Sequence, residues 1–302
     1  MTSDASLDTA AQEEAHAPRV AVQSTVGNAA SPAAIRRLSH ALAGSKPSSA
    51  KAQRQLVEKL RAALAAIRSG NFDLGVRHAQ AALKADPDSG VAWHILAICH
   101  EKSGAVVAAL DAYQAALQRL PEDTDIAQDL GRLAHQLGYL PIAEKLFLRF
   151  LMAHPGHAEA TNNLACVLRD QNRYADAIAQ LTPLLEIEPG NAILWNTLGS
   201  VMNDQGQFDQ ALIFFEEALR LDPALSKARY NRGNARLPLG DKVGALEDVE
   251  AALSGAETPY EHAMMRMARA LMMMGLARIP EGFEAYEVRL DPALPDAMRV
   301  AV

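Results

Sequence analysis

The chain has 302 residues, long for one ordinary domain, and its 29 basic against 36 acidic residues leave a net charge of −7. Alanine supplies 58 residues and aromatics only 5%, which suits closely packed helices and argues against a sheet sandwich or barrel. An acidic chain without a basic tract has no means of tracking a phosphate backbone, so nucleic acid is not an expected partner.

From the N-terminus, residues 1–50 contain no Phe, Trp or Tyr and are rich in Ala, Ser, Thr and Asp, so most of this stretch is expected to be disordered. Ser31-Pro32-Ala33-Ala34-Ile35 starts like a capped helix, and Ile35, Leu38 and Leu42 share one face. These residues mark a short helix over 32–44 as the exception. Met1-Thr2-Ser3-Asp4 lacks the basic and apolar regions of a signal peptide, and no stretch reaches the ~18 apolar residues of a membrane span. Two cysteines, Cys99 and Cys166, make no disulfide framework, and the expectation is a soluble cytoplasmic protein.

From 51 to 290 the chain repeats itself. Proline recurs at Pro87, Pro121, Pro155, Pro189 and Pro223, 34 residues apart each time. Small residues keep that register at Ala63, Ala97, Gly131, Ala165, Gly199 and Gly233. So do turn glycines at Gly70, Gly104, Gly138, Gly206 and Gly240, with Asn172 at the fourth place. The period predicts six stacked helix pairs over 56–89, 90–123, 124–157, 158–191, 192–225 and 226–259. In the fifth, Trp195, Leu198, Gly199 and Met202 share one face of a first helix, and Ala211, Phe215 and Ala218 share one face of a second. A lone pair of this kind leaves an apolar face bare, so units must stack. A seventh, irregular pair closes the array. Thr258-Pro259-Tyr260-Glu261 reads as a capping box, the helix runs to Met274, and a second helix begins near Pro280 after a connection about two residues longer than usual. Residues 291–302 read as a tail, or as a junction to a further domain.

The pattern Trp195…Leu198-Gly199…Ala211…Phe215…Ala218…Pro223 resembles the tetratricopeptide repeat (TPR), and Trp93, Leu96, Ala97, Ala109, Tyr113 and Pro121 repeat it in the second unit. The resemblance covers roughly 56–290. It implies an all-α, right-handed TPR superhelix of six regular helix pairs plus an irregular C-terminal pair, with first helices lining a concave groove.

No catalytic constellation is visible: no Gly-rich phosphate loop, no Cys pair at metal spacing, no Gly-x-Ser-x-Gly elbow. No cofactor, metal or catalytic residue is therefore expected. His154 and His157 flank an inter-unit turn without a third ligand and read as solvated turn residues. His94, His100 and His135 lie on first helices and read as groove or surface polarity. Arg229, Arg232 and Arg236 share one helix face and need partners, Glu250 or a neighbouring chain.

The resemblance places the informative residues in the groove, at the second, fifth, sixth, ninth, twelfth and thirteenth positions of each first helix. In units one and two these are apolar: Val57, Leu60, Leu64 and Ile67, then Val91, Ile95 and Ile98. They predict an open apolar groove, covered by the Ile35–Leu42 segment, filled by an amphipathic helix of a partner, or contested by both. Further along the groove turns polar, through Gln128 and Arg132, Asn162, Asn163 and Arg169, then Asn196, Ser200 and Asn203, and finally Lys227, Tyr230, Asn231 and Asn234. An asparagine amide both donates and accepts, so this row reads either as a grip on an extended peptide or as plain solvated polarity. Asn163 and Asn231 hold the sixth position, where the TPR region of O-GlcNAc transferase carries an asparagine ladder, whereas Thr197 breaks it here. Five such contacts at ~1 kcal/mol each fall short of the ~8 kcal/mol of micromolar binding, so an apolar anchor is expected beside them.

Six of the ten methionines fall between Met264 and Met274, as end-cap core or as a docking surface for a C-terminal domain or subunit. The stretch from Pro280 to Pro292 resembles the junction in bacterial proteins whose TPR array precedes a glycosyltransferase-like domain, some of them linked to flagellin modification. That resemblance implies a protein-binding domain that recruits a polypeptide, flagellin, for modification by a linked glycosyltransferase domain. A free-standing scaffold or assembly chaperone is the alternative.

Overall fold

The computed structural model describes residues 50–294, with side chains from Arg54 onward. The expected segment 1–49, with its helix over 32–44, and the tail beyond 294 lie outside the described residues. Fourteen α-helices follow one another, and among the described residues there is no strand. In chain order they are α1 (Ala50–Arg68) and α2 (Phe72–Ala85), α3 (Gly90–Lys102) and α4 (Val106–Arg119), α5 (Thr124–Gln136) and α6 (Leu140–Ala153), and α7 (Ala158–Asp170) and α8 (Tyr174–Ile187). Then come α9 (Ala192–Asp204) and α10 (Phe208–Leu221), α11 (Ser226–Arg236) and α12 (Lys242–Leu253), and α13 (Pro259–Gly275) and α14 (Ile279–Tyr286), closed by a 3₁₀ turn at Glu287–Leu290. Each pair packs as a hairpin, and each second helix packs on the first helix of the next pair. The chain is an all-α solenoid.

Turn chemistry sets the hairpins. Gly70, Gly104, Gly138, Gly206 and Gly240 all adopt positive φ, between 71° and 86°, and Asn172 takes their place at φ 60°. Helices α3, α5 and α13 begin on side-chain caps. Ser89 Oγ accepts from Ala92 N at 3.3 Å, Asp123 Oδ1 from Asp125 N at 3.0 Å, and Thr258 Oγ1 from Glu261 N at 3.1 Å. The expected capping box is reciprocal but shifted by one residue, because Glu261 Oε2 accepts from Glu257 N rather than from Thr258 N. The irregularity of the last pair also differs from expectation. Its connection, 276–278, is as short as the others, and the extra length lies in α13 itself, with 17 residues. The longer connection is 237–241 in the sixth pair, where Pro238 cuts α11 to 11 residues.

Small residues sit where helices cross. A Cβ at Gly199 would stand 2.7 Å from the Phe215 ring, and one at Gly131 3.2 Å from Phe147. The bulky partners Phe147 and Phe215 are fully buried there. One apolar core runs from Leu56 to Leu133 across α1–α5, and a second from Ala134 to Ala235 across α5–α11. A third joins Leu246 and Val249 to Met265, Met272 and Met273, so three of the clustered methionines are core.

The arginine face of α11 is satisfied within the chain. Arg229 donates to the Pro223 carbonyl, as Trp93 and Trp195 do to Pro87 and Pro189 at the matching places. Arg232 forms a two-pronged pair with Asp248 at 2.6 and 2.8 Å, and Arg236 reaches the same carboxylate at 3.1 Å. Glu250, the expected partner, pairs with Arg269 instead. The turn histidines are structural too: His157 Nδ1 caps α7 by accepting from Ala160 N, and its ring stands edge-on to Phe150.

Candidate functional site

The concave positions divide into residues that hold the array together and residues that remain open. The division follows a spacing of 35, one more than the repeat. Asn162 Oδ1 accepts from Thr197 Oγ1 at 2.6 Å, and Asn196 Oδ1 accepts from Asn231 Nδ2 at 3.0 Å. His94 Nε2 lies 2.8 Å from Asp129 Oδ2. In each case the fifth position of one unit bonds to the sixth position of the next, 35 residues on. His135 and Asp170 repeat the spacing near the ends of α5 and α7, at 2.7 Å. Adjacent first helices are therefore joined by a polar seam.

The seam takes up several of the groove residues the sequence singles out. Asn162 and Asn163 are 3% and 4% exposed, and Gln128 and Ser200 are buried as well. Asn231 Nδ2 also reaches Ser200 Oγ at 3.2 Å, while Ser200 itself donates to the Asn196 carbonyl. Asn162, Asn196 and Asn231 are thus committed to neighbouring units, and the expected row of gripping amides is largely a row of inter-unit bonds. The apolar residues of units one and two follow the same geometry. Leu60 and Ile95 hold the fifth and sixth positions, and both are buried with Leu64, Ile67 and Ile98 in the first core. Val57 and Val91 are half-buried. The seven do not form an open apolar face, because positions that look inward to the groove also look sideways to the next helix.

The charged concave residues form two ionic clusters. Arg132 grips Glu101 with both guanidinium nitrogens, and Glu101 also accepts from the buried Tyr113 hydroxyl at 2.8 Å. Burial works against the Arg132 charge, but Glu101 more than offsets it and holds the guanidinium firmly protonated. Arg169 pairs with Asp170 at 2.8 Å and approaches Asp204 at 3.4 Å. Burial alone would raise the Asp129 and Asp170 carboxyls. Hydrogen bonds from His94 and His135, with the nearby Arg132 and Arg169 charges, outweigh it and hold both below the usual aspartate range. Lys227 lies 3.2 Å from Glu261.

What the seam leaves unpaired or exposed lies mostly in the second half of the groove. Asn163 Nδ2 and Asn203 Oδ1 are buried atoms that make no hydrogen bond within the described protein. Ile193, at the second position of its unit, is 48% exposed. Tyr230 and Asn234 are half-buried and hydrogen-bonded to each other, and burial pushes the Tyr230 hydroxyl above its ordinary pKa although Asn234 opposes it. Asn203 belongs to the polar row already read from the sequence, whereas Ile193 stands out only once the seam has been subtracted. The sequence signal that finds the seam is complementary hydrogen-bonding residues one place beyond the period.

Among the described residues no group of three or more His, Cys, Asp or Glu side chains could hold a metal ion, and no helix is long and apolar enough to cross a membrane. Neither Cys99 nor Cys166 is in a disulfide, and burial pushes the Cys99 thiol up to about 12.

The family described as Tetratricopeptide repeat matches this sequence at residues 60–124, 129–192, 162–226 and 204–262. Protein FlbA of Caulobacter vibrioides is 40% identical over 281 residues, covering 93% of this chain. The chain spans only 46% of FlbA's length. Among solved structures, a tetratricopeptide repeat protein from Parabacteroides merdae superposes with a TM-score of 0.69 at 15% identity, over 82% of this chain and 98% of that one. PilW, a type IV pilus biogenesis factor, superposes with a TM-score of 0.59 at 19% identity, over 69% of this chain and 97% of its own. At these identities the two structures speak for the fold alone.

Proposed function

This chain belongs to the tetratricopeptide repeat family, and on that premise we propose that it recruits a polypeptide into its concave groove, with flagellin as the partner and a linked glycosyltransferase domain as the modifying enzyme. The observation that carries the groove reading is the pair of amide atoms left over from the seam. Asn163 Nδ2 is a buried donor and Asn203 Oδ1 a buried acceptor, both without hydrogen-bond partners within the described protein, and a peptide backbone that these side chains turn out to meet supplies one acceptor and one donor per residue. The flagellin reading rests on the resemblance of the Pro280–Pro292 stretch to TPR–glycosyltransferase junctions. FlbA supports it in one respect: the region it shares with this chain is less than half of its length, which leaves room there for a further domain.

The test is the affinity of purified monomeric flagellin from the same organism for this chain, measured by biolayer interferometry. The expected result is binding to wild type, weakened about tenfold in an Asn163→Ala/Asn203→Ala variant, as loss of two buried hydrogen bonds implies. Absence of flagellin binding to wild type sinks the flagellin reading and favours a scaffold or chaperone with another client. Equal binding of both proteins sinks the asparagine contacts.

A further inference from the structure

Where α11 meets α13 the polar seam stops. The fifth position of the sixth unit is Tyr230, and thirty-five residues beyond it stands the buried, apolar Met265, so the helices are not zipped by the bond that joins their predecessors. Between them lies a cavity of about 320 Å³. Its walls are apolar, formed by Met264, Met267, Leu271 and Met272 from α13 and by Leu237 just past the end of α11, with Ala268 among them. Tyr230 and Asn234 also line it, which makes it continuous with the groove. Leu271 is 52% exposed at this cavity.

One charge faces the cavity. Lys242 lines it, its Nζ 3.1 Å from the Gly275 carbonyl at the end of α13. No carboxylate lines the cavity, and among the described residues none pairs with Lys242. The complement of this surface is a pair of apolar side chains followed by a negative charge. A volume near the lower end of the ~300–1,000 Å³ range of ligand pockets suits two aliphatic side chains, the anchors an amphipathic helix presents at i and i+4. Methionine walls favour such a guest, because three rotatable bonds let them re-pack around it.

We propose that this cavity is the apolar anchor of the groove and takes an acidic amphipathic helix of a protein partner, two aliphatic side chains entering between Met264, Met267 and Leu271 while a carboxylate meets Lys242. The proposal rests on the groove reading above and moves its anchor from the N-terminal units, whose aliphatics are core, to the sixth and seventh pairs.

The probe is a synthetic 18-residue helical peptide with leucines at i and i+4 and a glutamate one turn later. Controls carry serine for both leucines, or lysine for the glutamate. Binding to the 302-residue chain is followed by fluorescence polarisation and by the methionine ε-methyl NMR signals. The expected result is saturable shifts of the Met264, Met267 and Met272 methyls, with affinity lowered about tenfold by the serine control and by Ala268→Trp, which fills the cavity. Lys242→Glu, at an exposed position, is expected to reverse the preference between the glutamate and lysine peptides. Unmoved methyls, or equal binding of all peptides, overturn the proposal, as does a preference for the lysine peptide by wild type. A folding defect in Ala268→Trp, visible as a lowered melting temperature, leaves Lys242→Glu to decide. If Lys242→Glu and Ala268→Trp bind flagellin like wild type while Asn163→Ala/Asn203→Ala does not, the anchor is wrong and the groove reading stands. If all three bind it like wild type, the groove reading falls too.

Discussion

Ala277 holds φ at 61° in the turn before α14, where glycine or asparagine serves with positive φ in the six other hairpins. A Cβ in the left-handed region costs ~1–2 kcal/mol. Ala277→Gly removes that strain against a smaller entropic loss, so it is expected to raise Tm by about 2 °C in thermal unfolding monitored by circular dichroism. Aspartates in the seam carry a second residue-scale consequence. Asp129 and Asp170 are held below the ordinary carboxylate range when folded, so their contribution is complete above about pH 4 and is lost as pH falls through the lower folded values. An Asp129→Asn/Asp170→Asn variant is expected to be less stable than wild type at pH 6 and to lose less Tm between pH 5 and pH 3. Parallel Tm-against-pH curves would contradict this.

At the scale of the element, each helix was legible in the sequence because its period is local. The 34-residue spacing of proline, small residue and turn glycine placed the hairpins, and Gly199 opposite Phe215 shows why the small residue is needed. The groove was less legible. Asn162 and Asn231 sit at concave positions, yet their amides bond sideways, and a period counted within one helix face does not reveal a bond 35 residues away. Leu60 and Ile95 mislead for the same reason. Pro238, which shortens α11, was readable but lay outside the regular pattern. The distinction between seam and groove is measurable. Asn231→Ala removes bonds to Asn196 and Ser200 and is expected to cost about 1–2 kcal/mol in chemical denaturation, whereas Asn203→Ala, with an unpartnered carbonyl, is expected to change stability by less than about 0.5 kcal/mol.

On the scale of the whole molecule, the solenoid gains stability from nearest-neighbour contacts, so its length is set by the number of units and not by one growing core. The alanine excess follows from this, since every crossing consumes small residues. Two kinds of glue act between units: an apolar core between the layers and a polar seam along the concave side. The seam ends at α11, where the repeat becomes irregular, and the apolar cavity lined by Met264, Met267 and Leu271 lies there. Second helices face outward and also expose aliphatics, such as Ile213 on α10, so exposure alone does not choose the binding face. Photo-crosslinking makes that choice directly. With a benzoylphenylalanine placed at Asn203 in one sample and at Ile213 in another, purified flagellin is irradiated with each and the adducts are counted by mass spectrometry. Crosslinks from position 203 and not from 213 are the predicted result, and crosslinks from 213 with none from 203 would contradict a concave binding groove.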